Sequence, residues 1–207
     1  MLLHQKNKKM SVYELVYRIK LKLRIILYKL FNKRHFGAFG RNVTIVQPLK
    51  IEGKKNIFLG DHVSIANLVW LAALPHTGEQ TVRLKIGSGT SIGHFNHIYA
   101  TKSIIIGKDV LTADKVYISD NQHGYDDIKV PVIKQSVRQC NAVEIGDGTW
   151  LGENVCVIGA SIGKHSVIGA NSVVTHDIPD YCVAVGSPAR VIKRYDKENG
   201  LWVKIKE

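Results

Sequence analysis

A six-residue spacing of aliphatic residues limits the folds open to this chain more than any other feature. In the second half of the chain, the repeated position is held by Ile145, Leu151, Val157 and, after one shortened step, Ile162, Ile168 and Val174. Glycine commonly follows this position, and a small or β-branched residue stands fourth after it. The same period runs through residues 86–118 with a two-residue slip, and it begins at Leu59. A period of six fits neither an α-helix nor an alternating hairpin strand.

Such a period is typical of a solenoid in which each hexapeptide forms one side and three sides make a coil of about 18 residues. The aliphatic residue would stack inside the coils, and the small fourth residue would fit at a corner. We therefore predict an all-β fold, a left-handed parallel β-helix, with an N-terminal amphipathic helix. Residues 71–85 and 119–143 break the period, and long loops on a rigid scaffold tend to carry function.

The N-terminal segment has the pattern of a basic amphipathic helix. Ser11 and Glu14 form a capping box, so we expect a helix over residues 12–31, although residues 19–25 also alternate as a strand would. Its apolar and basic faces fit either contact with a membrane surface or packing on the solenoid end. We predict an appendage over residues 1–36, a β-helix domain over 37–194 with an active-site loop over 119–143, and a tail over 195–207.

Composition narrows the classes of partner. Lys and Arg number 29 against 17 Asp and Glu, a formal net charge of +12 that favours an anionic partner. No nucleic-acid-binding motif accompanies this charge, so nucleic acid is not expected. No run of about 18 apolar residues and no cleavable leader is visible, which predicts a cytoplasmic protein, with the inner membrane surface as an alternative location. Cys140, Cys156 and Cys182 lack the spacing of a disulfide framework or a zinc site.

Three motifs in succession resemble those of a known family. They are Ile-Gly-Asp-Gly-Thr-Trp-Leu-Gly-Glu-Asn from Ile145, Ile-Gly-Lys-His-Ser-Val-Ile-Gly-Ala-Asn-Ser-Val-Val-Thr from Ile162, and Gly-Ser-Pro-Ala-Arg-Val-Ile-Lys from Gly186. Over residues 59–194 the chain resembles the hexapeptide-repeat acyltransferases, and within them the maltose, galactoside and polysaccharide O-acetyltransferase branch. The resemblance implies a homotrimer in which acetyl-CoA and the acceptor meet between adjacent subunits.

The resemblance also assigns a catalytic residue. The segment Ile-Ser-Asp-Asn-Gln-His-Gly-Tyr from Ile118 matches the looped-out catalytic segment of the family, with His123 at the position of its catalytic histidine. A sugar hydroxyl is a poor nucleophile, and an imidazole that titrates near neutral pH can remove its proton. His123 is therefore expected to be the general base.

Asn96 and Trp150 are further candidates. Asn96 occupies a fourth place, where the repeat otherwise prefers a small residue, and the run His94-Phe-Asn96 resembles a family segment that contacts the acetyl or acceptor group. An asparagine tolerated in a left-handed corner is the alternative. Trp150 stands at an outward position and matches a tryptophan along the pantetheine arm.

The remaining matches belong to the cofactor. Glu153 and Ala170 match positions whose backbone N–H groups bind the acetyl carbonyl and the pantetheine amides. Thr175, Arg190 and Lys193 match the phosphate end of the CoA site, where cations suit the phosphates. His176 stands where relatives often carry a lysine. The shortened step over residues 157–161 departs from the family pattern.

Together these features predict transfer of acetyl from acetyl-CoA to a hydroxyl of a sugar or glycan unit, without a metal. An amino-sugar N-acetyltransferase is the nearest alternative, because an amine would use the same base and donor. A zinc enzyme of the γ-carbonic-anhydrase type would need three converging histidines, for which His94, His97 and His123 are the available set.

Overall fold

The computed structural model describes residues 11–205. Residues 1–10 of the predicted appendage and residues 206–207 of the predicted tail therefore lie outside the described part. One α-helix, α1 (Val12–Asn32), opens this part of the chain, and short 3₁₀ turns cover Lys33–His35, Lys54–Asn56 and Val132–Lys134.

Short strands make up most of the rest. In chain order the described strands are β1 (Ala38–Phe39), β2 (Thr44–Ile45), β3 (Lys50–Glu52), β4 (Ile57–Leu59), β5 (Ser64–Ile65), β6 (Trp70–Ala73), β7 (Arg83–Ile86), β8 (Ser91–Ile92), β9 (His97–Ala100), β10 (Ser103–Ile106), β11 (Leu111–Thr112), β12 (Tyr117–Ser119), β13 (Asn121–His123), β14 (Val137–Gln139), β15 (Val143–Ile145), β16 (Trp150–Leu151), β17 (Cys156–Ile158), β18 (Val167–Ile168), β19 (Val173–Val174), β20 (Cys182–Val185), β21 (Arg190–Asp196) and β22 (Leu201–Lys204).

These strands form three parallel faces of a solenoid. The first face contains β1, β4, β7, β10 and β15, and the third contains β3, β6, β9, β12, β17 and β19. The second face runs β2, β5, β8, β11, β16, β18 and β20, and the antiparallel strands β21 and β22 extend it. Successive strands of the chain pass from face to face, so each pairs with the strand one coil away. The predicted left-handed parallel β-helix is confirmed.

The repeated aliphatic position supplies the core. On the first face Leu59, Ile86, Ile106 and Ile145 are paired in register, and each is almost fully buried. Burying such stacks removes apolar surface from water along the whole solenoid. Fourth-place residues close the corners: the Thr90 hydroxyl donates to the Gly107 carbonyl at 2.7 Å, and the Thr149 hydroxyl to the Gly163 carbonyl at 2.8 Å.

The first predicted excursion, residues 71–85, is shorter in the structure. Residues 71–73 belong to β6 and residues 83–85 to β7, so only residues 74–82 leave the coil. The alternation of Leu84 and Ile86 with exposed residues marks β7 as an ordinary coil strand. The second excursion spans residues 120–142 and folds back as the antiparallel hairpin β13–β14.

Helix α1 confirms the capping-box prediction, and the strand alternative for residues 19–25 is wrong. The Glu14 backbone N–H donates to the Ser11 hydroxyl at 3.1 Å, and the Ser11 N–H donates to the Glu14 carboxylate at 2.9 Å. Tyr28 packs against the core at the first coil, and burial raises its pKa to about 12. Within residues 11–205, no helix is both long enough and apolar enough to cross a bilayer.

Candidate active site

The hairpin β13–β14 carries His123. In this hairpin His123 is paired with Val137, and Asn121 with Gln139. The hairpin leaves the solenoid at the third–first corner, where the chain turns from the third face to the first. The side chain of His123 is exposed, and it makes no hydrogen bond to another described residue. An exposed imidazole on an otherwise paired strand can receive a proton from a bound molecule.

Asp120 fixes the root of this hairpin. Its carboxylate is fully buried and accepts from the backbone N–H groups of Thr101, Lys102 and Ser103 at 2.7–2.8 Å. It also accepts from the Thr101 hydroxyl at 2.9 Å. Hydrogen bonds to an ionised acceptor are stronger than neutral ones, and a buried charge requires several of them. Asp120 therefore ties the first residue of the excursion to the coil before it.

Gln139 closes the other end of the hairpin. Its amide Nε2 donates to the Asp120 carbonyl at 2.6 Å and to the Cys140 carbonyl at 3.0 Å. Its Oε1 accepts from the hydroxyls of Thr101 at 3.0 Å and Thr77 at 2.6 Å. The side-chain amide thus joins both ends of the long excursion to the short one.

The charged residues of the excursion are largely used inside it. The Arg138 guanidinium forms an ion pair with Asp126, and the Asp127 carboxylate accepts from the backbone N–H of Lys129 at 2.8 Å. Gln135 Nε2 donates to the Asp127 and Val130 carbonyls. The apolar tip residues Ile128 and Ile133 are instead 94% and 88% exposed.

Asn96 lies at a different corner, between the second and third faces. It is buried, and its Nδ2 donates to the Ala113 carbonyl of the next coil at 2.8 Å. Thr90 and Thr149 make the equivalent bond to the next coil at the corner between the first and second faces. Its Oδ1 is buried without a described partner. A buried unpaired acceptor is uncommon, and corner geometry needs only the donor.

Glu153 and Ala170 lie at this second–third corner on later coils. Their backbone N–H groups donate to no described residue, whereas the equivalent Lys164 N–H at another corner donates to Asp180 at 2.9 Å. The Glu153 side chain pairs with Lys115 at the surface. Both N–H groups therefore remain as donors for a bound molecule.

Trp150, Arg190 and Lys193 extend from this corner along the second face. Trp150 is 49% exposed on β16, between Leu111 and Val167 in register. Arg190 begins β21, and Lys193 is paired with Val183. An exposed indole followed by two cations is an arrangement that suits an elongated anionic ligand with an apolar arm.

Thr175 and His176 stand apart from this group. They follow β19 at the third–first corner, where the Thr175 hydroxyl lies 3.1 Å from His176 Nδ1. The shortened step also lies at this corner: the Gly159 N–H donates to the Ser119 carbonyl at the foot of the excursion. The short step therefore adjoins the hairpin root and not the Glu153 corner.

One subunit does not bring the two groups of candidates together. Asn96 precedes β9 and Thr101 follows it, so the width of the third face, about 13 Å for four extended residues, separates the two corners. Within the described chain, His94, His97 and His123 do not converge, and no group of three or more His, Cys, Asp or Glu side chains is placed to hold a metal.

The sequence does not predict the four residues that hold the ends of the hairpin, which are Asp120, Gln139, Thr77 and Thr101. An acidic residue directly after a core strand was the available signal for Asp120. The amide of Gln139 pairs with groups far along the chain, so no local pattern marks it.

Comparisons with known proteins identify the family to which the solenoid belongs. The family profile described as "Hexapeptide repeat of succinyl-transferase" matches residues 142–176. A protein of Escherichia coli K12 named as the lipopolysaccharide biosynthesis O-acetyl transferase WbbJ is 43% identical over 175 residues, covering 80% of this chain and 76% of that protein. A protein of Mycobacterium tuberculosis named as an acetyltransferase is 40% identical over 149 residues, which cover 66% of this chain and 49% of that protein.

Solved structures show the same architecture. A maltose O-acetyltransferase from Clostridium difficile 630 superposes with a TM-score of 0.55 at 26% identity, covering 92% of this chain and 91% of that one. An N-acyltransferase from Bacillus cereus in complex with dTDP and 3-hydroxybutyryl-CoA superposes at 0.69 with 20% identity, covering 83% and 89%, and this likeness concerns the fold alone. The chain belongs to the hexapeptide-repeat acetyltransferase family, and it is an acetyltransferase.

Proposed function

We propose that this enzyme transfers acetyl from acetyl-CoA to a hydroxyl of a sugar or glycan unit, with His123 as general base. The observation that carries the proposal is the placement of His123: an exposed imidazole on a hairpin whose two ends are held by Asp120 and Gln139. The names of the Escherichia coli and Clostridium difficile proteins support the choice of an O-acetyl product and a sugar acceptor. The reaction is assigned to the cytoplasm.

The reaction is a direct transfer. One ring nitrogen of His123 removes the proton from the acceptor hydroxyl as its oxygen attacks the thioester carbonyl carbon. The oxyanion that forms accepts a hydrogen bond from the backbone N–H at Glu153. Collapse of this intermediate breaks the C–S bond, the imidazolium returns its proton to the departing thiolate, and the products are the acetyl ester and CoA.

The cofactor lies along the second–third corner in this proposal. Ala170 donates its free N–H to a pantetheine amide, and the exposed Trp150 ring covers the arm. Arg190 and Lys193 contact the CoA phosphates. Thr175 and His176 are assigned to the same end of CoA, although β19 separates them from Arg190.

The site is completed by a second copy of the chain. Because the third face separates His123 from the Glu153 corner within one subunit, the hairpin of one subunit would meet that corner of its neighbour. A homotrimer arranges three such sites around its axis. In this division residues 37–194 carry the reaction, and residues 1–36 and 195–207 flank it.

A thiol-release assay with acetyl-CoA and a panel of sugars tests the proposal. We expect His123→Ala to lower turnover by about a hundredfold to ten-thousandfold, the usual contribution of a general base, while calorimetry shows unchanged CoA binding. His35→Ala, at an exposed histidine outside the site, is the matched control. Retained turnover in His123→Ala would refute the role of His123.

The acceptor chemistry needs a paired assay. A sugar and its analogue with an amine in place of one hydroxyl are compared, and mass spectrometry distinguishes the ester from the amide. We expect ester formation to have the larger kcat/KM. Amide formation alone would instead identify an amino-sugar N-acetyltransferase, and no thiol release with any sugar would reject the proposal.

A further inference from the structure

Helix α1 exposes its most apolar face. Aliphatic side chains at three- and four-residue spacing form a stripe along one side of the helix. We call this set the apolar stripe: Val12, Leu15, Val16, Ile19, Leu23, Ile26, Leu27 and Leu30. Its members are between 41% and 78% exposed. A contiguous apolar surface of this kind on a single chain marks a contact site.

The solenoid does not cover this stripe, because the helix packs through another face. Leu21, Ile25 and Tyr28, which are also three and four residues apart, are half-buried. On this packed side Asn32 Oδ1 accepts from the Lys54 ammonium at 2.7 Å. Contact with the first coil therefore fixes the helix and leaves the stripe facing away from the core.

Cationic side chains border the stripe on both sides. At 100° per residue, Arg18, Lys22 and Lys29 follow one edge, and Lys20 and Arg24 follow the other. Glu14 is the one acidic residue in α1. An apolar face between two rows of Lys and Arg is the pattern of a helix that lies in the headgroup region of a bilayer, since long cationic side chains reach the phosphates while the aliphatic groups enter below them.

We propose that α1 docks this enzyme on the surface of a bilayer containing anionic lipid, with the apolar stripe inserted and the bordering cations on the lipid phosphates. A second copy of the chain fits the same surface less well. Two copies meeting through their stripes would bring like-charged borders together, with only Glu14 in each helix to oppose them.

This docking orients the whole enzyme. Because the C-terminal half of α1 is attached to the first coil, the solenoid stands with that coil toward the bilayer and β22 away from it. An acceptor held at the same surface would then be concentrated near the enzyme.

Vesicle sedimentation with the full chain tests the docking. We expect binding to vesicles of phosphatidylcholine with about one quarter phosphatidylglycerol, weak binding to phosphatidylcholine alone, and loss of binding as salt is raised. Ile19→Asp with Leu23→Asp should lower the binding at least tenfold. Lys20→Gln with Lys22→Gln should lower it about fivefold for each lysine removed while leaving the stripe intact.

Leu201→Asp is the matched control, because Leu201 is 50% exposed on β22 at the opposite end of the solenoid. It should bind vesicles as the unchanged protein does. Circular dichroism and thermal unfolding establish that each variant is folded. Vesicle binding is measured without acetyl transfer, so failure of the docking proposal can be distinguished from failure of the proposed function.

Two results would overturn the docking. One is equal binding of the unchanged protein and the Ile19→Asp, Leu23→Asp variant to anionic vesicles. The other is absence of binding of the unchanged protein to anionic vesicles. If light scattering then also shows fewer subunits in the Ile19→Asp, Leu23→Asp variant, the stripe is assigned to contact between copies.

Discussion

The Thr77 hydroxyl donates to Oε1 of Gln139 at 2.6 Å, and this bond joins the two segments that leave the solenoid. Thr77 lies in the short excursion after β6, and Gln139 ends the hairpin that carries His123. Since Gln139 also donates to the Asp120 carbonyl, a single side chain holds the foot of the hairpin against both the coil and the neighbouring loop. The candidate base is therefore positioned by residues that do not take part in its chemistry.

Replacing Gln139 should disturb the reaction more than the fold. Gln139→Leu removes four hydrogen bonds at a half-buried position, and we expect a loss of about 2 kcal/mol in the free energy of unfolding. Displacement of His123 by about 1 Å should lower kcat roughly a hundredfold. Urea unfolding and the thiol-release assay measure the two effects. Gln122→Leu, exposed on the same hairpin, is the control, and equal kcat losses in both variants would contradict the positioning role.

Asp120 should contribute more to stability than an exposed carboxylate. Asp120→Ala leaves three backbone N–H groups without their acceptor at a partly buried corner, so we expect a loss of about 3 kcal/mol in the free energy of unfolding. Asp61→Ala is the comparison, because the Asp61–Arg41 pair lies at the surface and should matter far less. Hydrogen exchange should rise at residues 101–103 in Asp120→Ala alone. Equal unfolding midpoints for the two variants would show that the hydrogen bonds between the Asp120 carboxylate and residues 101–103 contribute little stability.

The repeat predicted the fold well because its information is local and redundant. Every coil needs an inward aliphatic residue and a small or polar corner residue. Leu59, Ile86 and Ile106 occupy the same inward position in successive coils, so each one independently indicates the fold. The capping box at Ser11 is equally local, and it was confirmed. The sequence predicts a first excursion that is too long, because slips in the six-residue period hide the alternation of β7.

The site was less accessible from sequence. Resemblance supplied His123, but the partners that hold its hairpin, Thr77, Thr101 and Gln139, are far apart along the chain and follow no period. The N–H groups of Glu153 and Ala170 are free because the next coil places no hydrogen-bond acceptor beside them, and this depends on backbone geometry that the sequence does not reveal. The direction of the apolar stripe likewise depends on which side of α1 meets the first coil.

Asn96 can be separated from an ordinary corner residue by Asn96→Thr. Threonine at the equivalent position 90 donates to the next coil as Asn96 does, so the corner hydrogen bond is kept and the free energy of unfolding should fall by less than about 1 kcal/mol. The unpaired Oδ1, which we expect to bind the acetyl or acceptor group, is lost, so kcat/KM should fall at least tenfold. The matched control is Thr149→Ser, which keeps its hydroxyl donor. Unchanged kinetics in Asn96→Thr would assign Asn96 to corner structure alone.

His97 should make stability depend on pH. Its ring stacks on Trp70 with centroids 4.2 Å apart, its Nε2 has no described partner, and burial lowers its pKa below the ordinary 6.5. Because the unfolded chain takes up this proton first as pH falls, the contribution of His97 is fully present above about pH 6.5 and is lost between that value and the lower folded-state pKa.

His97→Phe removes the titrating group and keeps an aromatic ring on Trp70. We therefore expect the free energy of unfolding to fall less in the variant than in the unchanged protein between about pH 7.5 and about pH 5. The variant should also be as stable as the unchanged protein at the upper pH, because phenylalanine leaves no buried ring nitrogen unpaired. Urea unfolding followed by tryptophan fluorescence at a series of pH values measures both effects. Parallel pH curves for the two proteins would show that other groups govern the acid sensitivity.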